Sequence, residues 1–448
     1  MKKFGSAGPL FIVMLLWGLN LGYPMQHLQH IRWTFAGYVL PVYYLFNVLP
    51  IVGAAAFALA FKRHWTKWEL LWWLLPLICL PGILQSGDPV WSTRQWSSWM
   101  VRGLLPGGII FLVADRNKAR RMLLYWIYPI IIAASLLGIA EIYYDYNPLW
   151  DNSLLPIPET SQPQNPFYRP VYSHYSLAIS ARPQGTQGNR IPYASTLVAF
   201  LPLGVWLLKY AKRFYWAHLL AINILFSILL LSQARSVWIG AVTAIALVYA
   251  VSLQRNLRET IKINVGIIVC LGLFLAWHKT YTLFWWRYKT FHLAAGSIQS
   301  RLEVLKTAAV LKDRWFSGVG FGQFPVACRP YYHSAIPWVG TPDNQYIRWA
   351  IENGLPSFML LAAFCAGLVF VGWKRIRQME DVEQADFYRA LLVGWLSIAV
   401  TFLFFDGFYW GACNMTFWSL LGLFATCLKP PDPVDVGAAS LSAAGRES

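Results

Sequence analysis

Charge is what this sequence has least of. Only 13% of its 448 residues are charged, and Asp and Glu together number 20. A soluble domain carries about 25% charged residues. Signatures of familiar soluble chemistry are missing too. There is no Walker A loop, no DxD pair to hold a metal–nucleotide sugar, no HExxH and no G-x-S-x-G. The six cysteines form no C-x-x-C pair, and five of them (Cys79, Cys270, Cys365, Cys413 and Cys427) lie in apolar stretches. Cys328 alone lies in a long polar loop, so neither a disulfide framework nor a zinc site is indicated. The eight histidines are scattered without metal-ligand spacing, so the sequence implies no metal and no other cofactor. No internal repeat is visible.

What the sequence has in abundance is apolar surface. Hydrophobic residues make up 57%, aromatic residues 17%, and 24 residues are Trp. That composition excludes a disordered chain. The formal net charge is nevertheless +17, from 37 Lys and Arg. In a soluble protein such an excess would point to nucleic acid. Beside this apolar content it points to cations distributed about a bilayer.

A membrane-spanning helix needs about 20 mainly apolar residues. Such runs occur near 8–24, 34–61, 68–85, 97–114, 122–141, 192–210, 215–231, 236–254, 263–278, 346–373, 388–406 and 408–428. The expected fold is therefore an all-α polytopic membrane protein with about 12 transmembrane helices. It forms one domain over 1–428, followed by a disordered tail at 429–448. The first run follows Lys2 and Lys3 without a small-x-small cleavage site and reads as a retained anchor. The 34–61 run is long enough to tilt.

The cations sort by side. One alternating set of short segments holds Lys2 and Lys3, Lys62, Arg63 and Lys67, Arg116 to Arg121, Lys209 to Arg213, Arg255 to Lys262, Lys374 to Arg389, and Lys429 with Arg446. More than half of the basic residues fall there. Short basic loops face the cytoplasm, so both termini are expected inside. The opposite set includes two long loops, 142–191 and 279–345, the second expected to contain short helices. Long loops in a compact membrane protein are functional or disordered. These are rich in Trp, Tyr and Pro, which favours order.

Four segments on that outer side could carry chemistry. ARPQGTQGNRIPYAS (181–195) sets Arg182 and Arg190 around two glycines. Glycines let backbone amides approach an anion, and arginines pair with phosphate oxygens. A Gly-rich turn with interfacial arginines is the alternative. SQARSVWIG (232–240) is a short turn that puts Arg235 at the membrane boundary. An ionisable group there is a functional candidate, or it snorkels to lipid phosphates. SIQSRLEVLKTAAVLKDRWFSGVGFGQF (297–324) has Leu302, Leu305, Ala308, Ala309 and Lys312 at helical spacing, with Arg301 near the start. Its GVGFG turn lacks the strand–turn–helix context of a nucleotide site. TPDNQYIRWAIENG (341–354) puts Asp343, Tyr346 and Ala350 on one helical face. Asp343 and Asn344 could equally cap the helix. Glu352, two turns into an apolar run, needs a partner.

An enzyme on the outer side has no ATP or nucleotide sugar. It needs a donor already activated and delivered through the membrane, and a pyrophosphate leaving group there needs positive charge. The order of R-x-x-G-T-x-G-N, S-x-A-R-S-x-W-I-G, S-R-L-E…G-V-G-F-G-Q-F and D-N-Q-Y…E-N-G-L-P resembles the O-antigen ligase / O-antigen polymerase family of bacterial membrane glycosyltransferases. The resemblance implies metal-independent, inverting transfer of a glycan from undecaprenyl pyrophosphate to an acceptor sugar hydroxyl, at the periplasmic face of the bacterial inner membrane. The acceptor is the lipid A core in ligases and a second lipid-linked repeat unit in polymerases. Arg182, Arg190, Arg235 and Arg301 match the family's donor-holding positions. Ligases usually have His before the Asn that matches Asn344; here Asp343 stands there and is the expected base, with His333 as a fallback. Asn344 and Tyr346 are expected to position substrate. The expected partners are thus a lipid-linked donor, a glycan acceptor and membrane lipids, with no nucleic acid. The rival reading is a lipid-linked polysaccharide flippase, which would show midplane charges and paired repeats.

Overall fold

In a computed structural model, the residues described are 7–22, 32–35, 38–41, 48–61, 65–114, 117, 120–121, 123–144, 190–211, 214–232, 234–252, 306, 309–328 and 343–429. The expected span at 263–278, most of the 142–191 loop and the tail beyond 429 lie outside them. Helices dominate, as they must where lipid offers the backbone no hydrogen-bond partner. In chain order they are α1 (Ala7–Gly22), α2 (Leu49–Phe61), α3 (Lys67–Leu84), α4 (Pro89–Val113), α5 (Leu123–Glu141), α6 (Arg190–Tyr210), α7 (Tyr215–Leu231), α8 (Arg235–Ser252), α9 (Gln345–Asn353), α10 (Leu355–Arg377), α11 (Val382–Thr401) and α12 (Gly411–Leu428). Six of these, α3, α4, α5, α6, α10 and α12, are long and apolar enough to cross a membrane.

Local chemistry sets the helix ends. Thr66 and Glu69 form a reciprocal capping box at the start of α3. Asp88 caps α4 and Pro89 occupies its first turn, so α4 begins eight residues before the expected 97. Asp381 caps α11, which ends at Thr401; a loop of 402–410 replaces the expected continuation to 406.

Two expectations are corrected. The 34–61 run is not one helix. Arg32–Phe35 (β1) and Tyr38–Pro41 (β2) form an antiparallel hairpin, with Trp33 opposite Leu40 and Phe35 opposite Tyr38, and α2 starts only at Leu49. The fold is all-α apart from this one small hairpin. Its R-W-T-F and Y-V-L-P segments are aromatic and β-branched, which suits strands. The 346–373 run is also broken. Gly354 has φ +87° and Pro356 lies in the next helical turn, so α9 ends and α10 begins afresh.

One apolar core joins the bundle, with Trp17, Trp72, Trp99, Trp349 and Trp418 fully buried. In α6 and α12, 89% of the apolar window is buried, against 28% in α10. α6 and α12 are central and α10 is peripheral. The central crossings depend on missing side chains. A Cβ at Gly422 would strike the backbone of Gly107, and one at Gly107 would strike the Trp418 carbonyl.

Basic residues gather at one end. Asp386 accepts hydrogen bonds from Lys209 Nζ, Tyr210 Oη and Arg389, each at 2.6 Å. Burial pushes the Asp386 carboxyl up, but these donors outweigh it and hold the group below its usual range. Arg120 pairs with Glu383 and lies 4.9 Å from the Trp206 ring centroid. Lys429 Nζ binds the carbonyls of Leu112 (3.0 Å) and Ala114 (2.9 Å), closing α4. Arg120, Lys209, Arg389 and Lys429 come from four different short basic segments of the alternating set, and the fold brings them together.

Gly422→Val should destabilise the protein by about 1–3 kcal/mol, because the α4–α12 backbones cannot separate without opening the core. Gly53→Ala, where nothing lies within 4 Å of the new atom, should be neutral or gain about 0.4–1 kcal/mol. Thermal unfolding of both variants in detergent checks this; equal effects would contradict the close-packing assignment.

Candidate functional site

α9 begins at the other end of the bundle. Asn344 is its N-cap, its side chain accepting from Tyr346 N (3.0 Å) and Ile347 N (3.1 Å). Tyr346 Oη donates to the Ala399 carbonyl at 2.7 Å and so ties α9 to α11. Both residues expected to position substrate therefore also hold the fold. Asp343, just before the cap, has φ +43°, the one positive φ of a non-glycine among the described residues. Asp tolerates this region better than most residues, and such strained positions gather at functional sites. The half-buried carboxyl stands at a helix N-terminus, where negative charge is favoured.

The strongest electrostatic feature lies one turn further along. Arg348 Nε donates to Glu352 Oε1 at 2.9 Å, and its Nη1 donates to Asp406. The Tyr409 hydroxyl donates to Glu352 Oε2, and the Arg348 guanidinium sits 3.4 Å from the Tyr409 ring centroid. Phe324 N also donates to Glu352 Oε1, at 3.3 Å. The side chains of Arg348 and Glu352 are 6% and 1% exposed, and that of Asp406 is 11% exposed. Glu352 thus has the partner its position demanded. It lies not inside a span but on a short buried helix ahead of α10. Two further bonds lock the 402–410 loop to α9: Gln345 N to the Phe402 carbonyl, and Phe408 N to Gln345 Oε1, both 2.9 Å.

The GVGFG loop completes this unit. Gly318, Gly320 and Gly322 all have positive φ. Val319 N and Gly320 N donate to the carbonyls of Ile351 (3.0 Å) and Glu352 (2.9 Å). These amides cap the C-terminus of α9 and are spent on protein, not aimed at a phosphate. Phe321 packs among Trp99, Trp349 and Tyr409.

Other helices reach the same end. Arg190 opens α6 and Arg235 opens α8, both half-buried. Cys413 Sγ at the start of α12 lies 3.2 Å from the Pro192 carbonyl near the start of α6. A Cβ at Gly240 of α8 would meet Ser397 and Thr401 near the end of α11. The N-termini of α6, α8, α9 and α12 therefore converge with the 402–410 loop. Arg182, Arg301 and His333 lie outside the described residues. Among the described residues, no group of His, Cys, Asp and Glu could hold a metal.

Arg102, Arg348, Asp406 and Tyr409 were not singled out from the sequence. The Arg348–Glu352 pair was available as i, i+4 spacing. Asp406 stands in F-D-G-F-Y-W between two apolar runs. Arg102 lies on a π-helical turn, Met100–Leu104, within α4. That turn leaves the Trp99 and Leu104 carbonyls to side chains: Asn414 Nδ2 binds the first and Trp72 Nε1 the second, both at 3.0 Å. Such turns are frequent at functional sites.

Helices of this length and apolarity, with buried ion pairs at one end, define an integral membrane protein with an ionisable site near one surface. Residues 220–362 match the family model described as O-Antigen ligase. Over that region the chain is similar to the O-antigen ligase family, and the match supports the resemblance read from the sequence. No curated protein matches the chain. The matched region runs from α7 into α10. It includes Arg235, the GVGFG loop and all of α9, and it stops before Asp406.

Arg348→Ala should cost about 3–5 kcal/mol, because it strands two buried carboxylates. Tyr409→Phe, which removes one donor to Glu352, should cost only about 1–3 kcal/mol. Chemical denaturation in detergent separates the two; an Arg348→Ala loss below 1 kcal/mol would refute the buried-pair assignment.

Proposed function

We propose that this protein is a metal-independent, inverting glycosyltransferase that moves a glycan from undecaprenyl pyrophosphate to an acceptor sugar hydroxyl. The reaction takes place at the periplasmic face of a bacterial inner membrane, with both termini cytoplasmic. The observation that carries this reading is the O-antigen ligase match over 220–362, which encloses Arg235, Arg301 and the Asp343–Tyr346 segment. The gathering of cations from the short basic segments at the end away from α9 supports the orientation.

In this mechanism Asp343 takes the proton of the acceptor hydroxyl. The acceptor oxygen attacks the anomeric carbon from the face opposite the leaving group. The anomeric carbon–oxygen bond breaks, and its electron pair goes to the pyrophosphate. Arg182, Arg190, Arg235 and Arg301 neutralise that developing charge, and buried donors fixed in advance are the most effective way to do so. Asn344 and Tyr346 hold the turn that carries the base. His333 is the alternative base in the same loop. The lipid A core and a second lipid-linked repeat unit are the two acceptors the family offers.

The test uses purified protein in nanodiscs with polyprenyl pyrophosphate-linked repeat units and EDTA, with and without lipid A–core. Laddering without core identifies a polymerase, and transfer only with core identifies a ligase. Asp343→Asn should lower the rate by about 10²–10⁴-fold while the protein still retains donor. No transfer to either acceptor would overturn the reading. Full activity of Asp343→Asn would remove Asp343 as base.

A further inference from the structure

Glu352 and Asp406 share Arg348, but they are not equivalent. Both Glu352 oxygens are occupied, by Arg348, Phe324 N and the Tyr409 hydroxyl. Asp406 gives one oxygen, Oδ2, to Arg348. Among the described residues, no donor reaches its other oxygen, Oδ1. Burial of a carboxylate with one face unpaired is costly unless a ligand or solvent completes it. The residue is 8% exposed, so the open face belongs to a fixed side chain rather than to a loose surface acid.

The residues that follow Asp406 in the chain bring in groups of the kinds that recognise sugars. Planar polar side chains satisfy ring hydroxyls, and an aromatic face covers the C–H side of a ring. Trp410, four residues on, is half-buried, and no indole N–H bond is formed among the described residues. Gly411 follows without a side chain. The point a Cβ would occupy there lies 3.5 Å from Arg102 Cδ and 3.8 Å from Asn20 Oδ1. Asp406 and Trp410 thus precede the head of α12 in the chain, where Arg102 and Asn20 lie beside Gly411. The 402–410 loop is anchored to α9 through Gln345 and Arg348, next to the turn bearing Asp343.

We infer that Asp406 and Trp410 form an acceptor-sugar subsite, with Asp406 Oδ1 accepting a hydrogen bond from a hydroxyl of the acceptor glycan. This rests on the glycosyl-transfer reading and adds to it the residues that bind the acceptor. They lie outside the family-matched region.

The experiment measures initial rates for wild type and Asp406→Asn, varying acceptor oligosaccharide and lipid-linked donor separately. The expected result is a rise of about 10–100-fold in acceptor KM, the size of a lost hydrogen bond to a charged group, with donor KM unchanged. Unchanged acceptor KM, or a fall in kcat alone, would overturn the subsite. A second measurement needs no variant. Carbodiimide labelling of wild-type Asp406, read by mass spectrometry, should be suppressed by acceptor oligosaccharide and not by polyprenyl pyrophosphate. Protection by the polyprenyl pyrophosphate alone, or by neither, would also overturn it. Failure of wild type to transfer any glycan would instead defeat the underlying reading.

Discussion

A guanidinium enclosed between two carboxylates inside a helical bundle must keep both partners or destabilise everything around it. Desolvating these charges costs several kcal/mol per ion, and only close geometry with further hydrogen bonds repays it. Arg348 meets that demand. Its carboxylates come from its own helix and from the 402–410 loop, and Tyr409 and Phe324 complete Glu352. Three segments distant in sequence are joined there: the glycine loop, α9 and the turn into α12. The first turn of α9, with Asp343 ahead of it, can hold its unusual backbone because the residues behind it are fixed.

The fold sorts charge by position. At one end Asp386, Glu383, Arg120, Lys209 and Arg389 tie short connecting segments together in pairs and triplets. At the other, four helix N-termini and the Arg348 cluster lie together with Asp343, Asn344, Tyr346, Arg190 and Arg235. The aromatic core between the two ends is stitched by few polar bonds. Two of these reach carbonyls left open by the π-helical turn of α4. The net charge of +17 is therefore not one surface. Among the described residues, Arg120, Lys209, Arg389 and Lys429 secure the basic end, and Arg190 and Arg235 open helices at the other.

Much of the helical frame was legible because apolar runs and the rule that lipid-exposed backbone must pair with itself leave little choice. The expected runs at 68–85, 122–141, 192–210 and 215–231 fall within a few residues of α3, α5, α6 and α7. Errors arose where apolar content and backbone conformation part company. Trp33, Phe35, Tyr38 and Leu40 are as hydrophobic as a span but pair across a hairpin. Gly354 cuts a hydrophobic run at a point that hydropathy averages over. The carboxylate at Glu352 signalled a buried partner, and Arg348 supplies it four residues away. Asp406 was illegible for a different reason. Its significance lies in a bond to a residue 58 positions away in sequence, and no local pattern encodes that pairing. The GVGFG glycines were correctly not read as a nucleotide site, but their real task, closing α9, appears only in three dimensions.

The most direct measurement is a structure of the protein in nanodiscs with a non-hydrolysable lipid-linked glycan and an acceptor oligosaccharide bound. The sugars should lie at the end where α6, α8, α9 and α12 begin. The acceptor hydroxyl should face Asp343, with the acceptor ring against Asp406 and Trp410. Glycan density at the opposite end, beside Asp386 and Arg120, or threaded through the bundle, would contradict the assignment of transfer chemistry to this site.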